Sequence, residues 1–279
     1  MEQIVRVLID CPDSKGLVYK ISKVFYDRDL NIENNREFVD REQGRFFMRT
    51  EVSGIFDRDE LREALEGVTP PNSNLQVIEP KKKNIVLFAT KESHALGDIL
   101  VRHEADELDA NILAVISNHN TLKSLVDRFD IPFFHIDAKE ISRVEHEKRI
   151  LEVLEKFSFD YIVLAKYMRI LTSNFVSKYS RKIINIHHSF LPAFIGANPY
   201  KQAYNRGVKI IGATAHFVTD ELDEGPIIAQ DVISVNHRFS WRDMQRAGRD
   251  VEKIVLSRAL DLVLNDRVFL YGNKTIIFK

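Results

Sequence analysis

Residues 183–192, Ile-Ile-Asn-Ile-His-His-Ser-Phe-Leu-Pro, run from an apolar stretch into a proline. In an extended chain successive side chains alternate, so Asn185, His187 and Ser189 project to one side and Ile184, Ile186 and His188 to the other. An amide beside an imidazole supplies a neutral donor for a developing oxyanion and a group that moves protons, which is the equipment of acyl transfer. A turn cap at Asn185 and a satisfied core histidine at His187 is the plainer reading of the same pair when it is taken alone. Neighbouring histidines on opposite faces make a poor metal pair, and His188 reads as structural.

Residues 215–226, Ala-His-Phe-Val-Thr-Asp-Glu-Leu-Asp-Glu-Gly-Pro, lead from a strand-like run into an acidic loop closed by Gly-Pro. Alone this is an ordinary charged turn. After the apolar run 85–89 comes Thr90-Lys91-Glu92-Ser93-His94-Ala95-Leu96-Gly97, which lacks the glycine spacing of a dinucleotide fingerprint or a phosphate loop. The absence of a His-Glu-x-x-His pattern leaves metal-dependent hydrolysis without support, so no metal is expected. Cys11 is the single cysteine, which excludes an intramolecular disulfide and fits a reducing compartment.

The elements that must position these residues fall into two groups. A chain of 279 residues with 44% hydrophobic content can build two cores. In the first, the pattern predicts a strand at 4–10, a turn through Pro12-Asp13-Ser14-Lys15-Gly16 and a helix carrying Leu17, Ile21, Val24 and Phe25. Strands at 32–39 and 45–52, a helix at 58–65 and a strand at 75–78 complete a βαββαβ order, the ferredoxin-like plan. Pro80-Lys81-Lys82-Lys83 reads as a linker. Beyond it, apolar runs at 85–89, 112–116, 132–136, 161–165 and 183–186 alternate with helical stretches. This is an α/β pattern, an open and mostly parallel Rossmann-like sheet buried on both faces, whose ligands gather at the strands' carboxyl ends. Strand-like segments at 212–219 and 227–235, a long helix near 240–264 and a hairpin turning at Gly272-Asn273 finish the chain. The expected domains are therefore residues 1–80 and 84–279.

With 40 basic and 41 acidic residues the net charge is -1, which supplies no global field for nucleic acid or an anionic membrane. No apolar run approaches the length needed to span a bilayer, and the charged amino terminus is unlike a secretory signal. A cytoplasmic protein is expected.

The first unit, with its Asp13-to-Gly16 turn, resembles the amino-acid-sensing ACT family. That resemblance implies a homo-oligomer in which the unit either binds amino-acid effectors such as methionine and glycine near Asp13, Gly16 and Asn31 or serves oligomerisation alone. The second unit resembles the formyltransferase-fold family. An Asn-x-His strand followed by Ser-x-Leu-Pro and Gly carries the likeness at Asn185, His187, Ser189, Leu191, Pro192 and Gly196, together with the Asp-Glu-Leu-Asp-x-Gly-Pro loop at 220–226. The resemblance implies a catalytic trio of Asn185, His187 and Asp223. It also implies a folate pocket walled by Met168, Arg169, Ile170 and Leu171, with Gly196 and Gly225 nearby.

Within that family, transfer to a phosphorylated amine uses a glycine-rich loop after the first strand, where this chain has Lys91-Glu92-Ser93-His94. Together with the ACT-like unit, this points to water as acceptor. The implied activity is hydrolysis of 10-formyltetrahydrofolate to formate and tetrahydrofolate, supplying formate to one-carbon metabolism and purine biosynthesis. Substrate and water are the expected partners, and no cofactor is expected. His94 reads either as facing the same cleft, where it helps hold water or formate, or as a helix-start residue facing solvent. The alternative is formyl transfer to an unphosphorylated amine recognised by the Lys91-to-His94 loop.

Overall fold

Alternation of apolar and polar residues explains the first sheet. In this computed structural model, which describes residues 3–193 and 199–279, β1 (Gln3–Pro12) buries Val5, Val7, Ile9 and Cys11 completely. They pack with Leu17, Ile21, Val24 and Phe25 of α1 (Leu17–Tyr26). The edge strand β2 (Asn31–Asp40) and β3 (Arg45–Gly54) follow, then α2 (Arg58–Glu66), which adds Leu61 and Leu65 to the same core, and β4 (Asn74–Ile78). Asp57 caps α2 by accepting from the backbone N–H groups of Asp59 and Glu60, which have no partner within the helix. The antiparallel order β2-β3-β1-β4 is the ferredoxin-like plan expected from the sequence.

The second unit opens with β5 (Lys83–Ala89), α3 (His94–Glu104), β6 (Ala110–Ser117), the single turn α4 (Lys123–Val126), β7 (Phe133–His135), α5 (Arg143–Leu154) and β8 (Tyr161–Leu164). It continues through α6 (Ser173–Lys178), β9 (Ile183–His187), α7 (Pro199–Arg206), β10 (Ile210–Phe217), β11 (Ile227–Ser234) and α8 (Trp241–Leu264). Its seven strands lie in the order β11-β10-β9-β8-β5-β6-β7. From β7 to β9 neighbours run parallel, whereas β10 pairs antiparallel with both β9 and β11. Ile85, Val86, Leu87, Phe88 and Ala89 are all fully buried, as a central strand covered on both faces requires. The chain leaves β5 toward β6 and β7, then returns to β8 on the other side of β5. That reversal opens a crevice at the strands' carboxyl ends.

Two expectations about boundaries need correction. Lys83, expected in the linker, is buried and begins β5, opposite Ala110. The chain end does not belong wholly to the second unit, as the range 84–279 would have it. The terminal hairpin, β12 (Val268–Tyr271) and β13 (Lys274–Ile277), is divided. Residues Asn265–Phe269 and Ile276–Lys279 cluster with the first unit, and Leu270–Thr275 with the second. The physical reason lies on the sheet face turned away from α1 and α2. There Arg6 donates to Asp266 (3.0 Å) and Asn265 (3.2 Å), Arg49 donates to the backbone carbonyl of Asp266 (3.1 Å), and Phe269 packs edge-on against Phe47. An arginine within a strand reads as part of a solvated face, and nothing local reveals that a segment over two hundred residues away covers Arg6 and Arg49. No described helix is long and apolar enough to cross a membrane.

Candidate active site

At the carboxyl ends of β8 and β9 lies a cavity of about 310 Å³. One wall is the segment after β8, held at both ends by buried anchors. Tyr167 packs edge-on against Phe88 (5.2 Å), and the backbone N–H of Met168 donates to Thr90 Oγ1 (2.9 Å). At its far end Glu147 accepts from the backbone N–H (2.8 Å) and the hydroxyl of Thr172. Between these anchors Met168 (57% exposed), Arg169, Ile170 (49% exposed) and Leu171 line the cavity, as the sequence predicts. An apolar rim left bare around a fixed backbone suits a flat heteroaromatic ligand.

Asn185 and His187, neighbours on one face of β9, meet the sequence-distant Asp223 in this cavity. β9 delivers the first two, and the loop returning from β10 delivers the third. His187 Nδ1 lies 3.2 Å from Asp223 Oδ1 and donates to it, while His187 Nε2 is buried and has no protein partner among the described residues. Burial would raise the Asp223 pKa, but hydrogen bonds from His187 and His216 outweigh it and hold the carboxyl well below the usual range. The result is an ionised carboxylate fixing one imidazole nitrogen as donor, which leaves the other with its lone pair.

The loop's shape follows from two residues. Asp223 sits at a φ of 59°, in the left-handed region that aspartate tolerates better than most. A β-carbon at Gly225 would stand 1.8 Å from the carbonyl oxygen of Phe217, so only glycine lets the loop close onto the end of β10. Gly225 does not line the cavity; its part is to seat Asp223. Gly196 lies outside the described residues.

His216 joins the group without having been singled out in the sequence. Antiparallel register sets it opposite Asn185, with Nε2 3.2 Å from Asn185 Nδ2. Its Nδ1 donates to the carbonyl oxygen of Phe217 (2.9 Å), and its Nε2 stands between Asn185 Nδ2 and, at 3.7 Å, Asp223 Oδ1. The Asn185 amide has two hydrogens, so even with one turned to His216 the other can serve the cavity. A histidine in an otherwise apolar strand was the visible signal, but its partner depends on register.

Strand alternation needs two corrections near the end of β9. Ser189, predicted on the side of Asn185 and His187, donates instead to the backbone carbonyl of Ala193 (2.6 Å) and closes the turn. His188, beyond the strand's last residue, also reaches the cavity and stacks on His187 with ring centroids 5.1 Å apart. Burial and, after it, nearby Lys166 push the His188 pKa down to about 3, so this ring is neutral.

Contrary to the first of its two readings, His94 does not line the cavity. Its Nε2 lies 2.7 Å from Oε2 of Glu252, a fully buried carboxylate on α8. Lys166 Nζ meets the same oxygen at 3.1 Å, and Tyr200 donates its hydroxyl to Oε1 at 2.6 Å. None of Lys166, Tyr200 and Glu252 was singled out beforehand. In the first unit Asp13 donates its backbone N–H to Gly44 (2.8 Å), Gly16 precedes α1 at a φ of 85°, and the Asn31 side chain donates to Glu33 (2.8 Å).

These arrangements have known counterparts. Residues 83–260 match the family described as formyl transferase, and residues 5–69 match the ACT domain. A formyltetrahydrofolate deformylase of Haemophilus influenzae is 56% identical over 97% of this chain and 98% of its own length. A crystal structure of a formyltetrahydrofolate deformylase from Pseudomonas syringae pv. tomato superposes with a TM-score of 0.94 at 43% identity, covering 100% of this chain and 95% of that one. Glycinamide ribonucleotide transformylase 1 of Symbiobacterium toebii matches less of it, with a TM-score of 0.69 and 28% identity over 72% of this chain and 97% of its own. An ACT domain and a formyl transferase domain in one chain, similar throughout to both deformylases, place this protein in the formyltetrahydrofolate deformylase family.

Proposed function

We propose that the chain hydrolyses 10-formyltetrahydrofolate to formate and tetrahydrofolate at the cavity holding Asn185, His187 and Asp223. The observation that carries this assignment of residues is the geometry of His187: one nitrogen bound to Asp223, the other buried and without a partner among the described residues.

The chemistry follows from that asymmetry. Asp223 keeps Nδ1 protonated, so Nε2 takes a proton from a water lying between it and the formyl carbon. The water oxygen attacks, and the carbonyl oxygen gains charge that the free amide hydrogen of Asn185 stabilises. Asp223 favours the imidazolium formed in this step. Collapse breaks the bond from the formyl carbon to the folate nitrogen, which takes the proton back from His187. Water is a weak nucleophile, so proximity must supply much of the rate. Met168, Arg169, Ile170 and Leu171 hold the pterin, and substrate and water suffice without a separate cofactor.

The reaction belongs in the cytoplasm and supplies formate for one-carbon metabolism and purine biosynthesis. The ACT unit, with the polar edge strand β2 exposed along much of its length, joins copies of the chain and binds amino-acid effectors near Asp13, Gly16 and Asn31. The test of the activity is incubation with 10-formyltetrahydrofolate and no acceptor. Stoichiometric formate supports hydrolysis, and turnover that begins only when an amine is added overturns it.

A further inference from the structure

We propose that Lys166 is the residue that makes water the acceptor, because its side chain fills a subsite in which a cationic second substrate would be held. The inference rests on the hydrolytic reading above.

Three observations point to a filled subsite. Glu252 is 0% exposed, and a wholly buried carboxylate is costly unless cations and donors surround it. Glu252 has them, all supplied by the protein: Lys166, His94 and Tyr200. Lys166 is among the residues lining the cavity and Glu252 is not, and the buried Lys166 side chain ends on Glu252, so the lysine links the wall of the cavity to the carboxylate behind it. Lys166 is also an unusual residue for its backbone. At a φ of 65° it occupies the left-handed region, where glycine is free of strain and lysine is not. The strain is retained where the side chain makes a buried ion pair.

The opposite side of the carboxylate is closed as firmly. A β-carbon at Gly248, one helical turn before Glu252 on α8, would stand 2.1 Å from the Tyr200 hydroxyl, so Tyr200 is packed directly onto the helix. Its ring centroid lies 6.2 Å from that of His188, which stacks on His187. The cluster is therefore contiguous with the base. A cationic acceptor, with an ammonium to anchor beside the amine that reacts, needs an anion to hold it, and here that anion is already neutralised by a protein ammonium. Water needs no such anchor.

The test is to open the subsite. Lys166→Gly relieves the backbone, and Lys166→Asn, also suited to the left-handed region, replaces it if the glycine variant does not fold. Each is incubated with 10-formyltetrahydrofolate and 1,3-diaminopropane, a molecule with one ammonium for Glu252 and a second amine to reach toward the formyl carbon. In the transfer, the amine lone pair forms the bond to the formyl carbon and the bond from that carbon to the folate nitrogen breaks. That nitrogen takes the proton the amine gives up, leaving N-formyl-diaminopropane and tetrahydrofolate. The ratio of formylated diamine to formate is expected to rise more than about tenfold over the parent, within the discrimination one binding contact provides. Adding Glu252→Gln to the opened variant should abolish the gain. Formate alone from both opened variants, or a gain undiminished by Glu252→Gln, overturns the proposal. Formate from the parent without amine keeps the hydrolytic reading intact in either case, whereas a parent that turns over only with amine sinks that reading first.

Discussion

Asp223, a half-buried carboxylate that lines the cavity, and Glu252, a wholly buried one just behind it, are surrounded by the protein in opposite ways. Asp223 is paired with a histidine whose second nitrogen has no partner among the described residues. Glu252 has both oxygens engaged, by a lysine, a histidine and a tyrosine. Burial raises the pKa of each, and each is nonetheless held low by its donors. What separates a working group from a locked one is therefore not the charge but the vacancy beside it. A carboxylate that leaves a basic nitrogen free can promote a reaction, and one whose neighbours are all saturated can only fix structure or exclude a ligand.

The comparison breaks most severely at the working carboxylate. Asp223→Asn should lower kcat by about a thousandfold to ten-thousandfold, because an amide no longer selects the tautomer that leaves Nε2 basic. Steady-state formate release checks this, and an unchanged kcat would remove Asp223 from the chemistry. Asn185→Ala is expected to cost about a hundredfold to a thousandfold in kcat, the usual loss of one oxyanion donor. A change confined to KM would assign Asn185 to binding instead.

The wall between the two carboxylates gives a prediction on stability. His188 has a folded pKa of about 3, below the ordinary histidine value of 6.5, so the unfolded chain binds the proton first as pH falls. Stability from this group is complete above the unfolded value and is lost progressively from there down to the folded one. Between pH 7 and pH 5 the loss should be about 2 kcal/mol. Denaturant unfolding of the parent and His188→Gln at both pH values isolates it, since the variant should lose less by that amount. Parallel losses would show that His188 is not held neutral. The smallest effect is expected at the pocket's anchor. Thr90→Val removes the acceptor of the Met168 N–H and should raise KM by about fivefold, equivalent to ~1 kcal/mol, with kcat little changed. An unaltered KM would detach that anchor from substrate binding.

How much of this was legible in the chain differs between the same two carboxylates. Asn185 and His187 share a face by simple period-two alternation, but the resemblance was needed to give Asp223 a role, because a loop has no period. Glu252 was hidden for a different reason. On a 24-residue helix it is one charge among many, and helical spacing alone cannot tell a buried acid from a solvated one. His94 was noticed and given the wrong partner for the same cause: its partner is Glu252, 158 positions later. His216 needed the β9–β10 register, which strand propensities do not specify. Element types were readable from apolar periodicity, and the hairpin turn from Gly272-Asn273. The division of that hairpin between two units depended on long-range pairing by Arg6 and Arg49, which no local pattern encodes.

The most direct test of the central claim concerns the free nitrogen of His187. Formate release by His187→Gly is measured in single turnovers with and without added imidazole, alongside a binding assay for the folate. The expected result is retained folate binding, a loss of rate of about a hundredfold to ten-thousandfold, and partial recovery that saturates with imidazole. A variant that binds folate and releases formate at the parental rate would contradict the account.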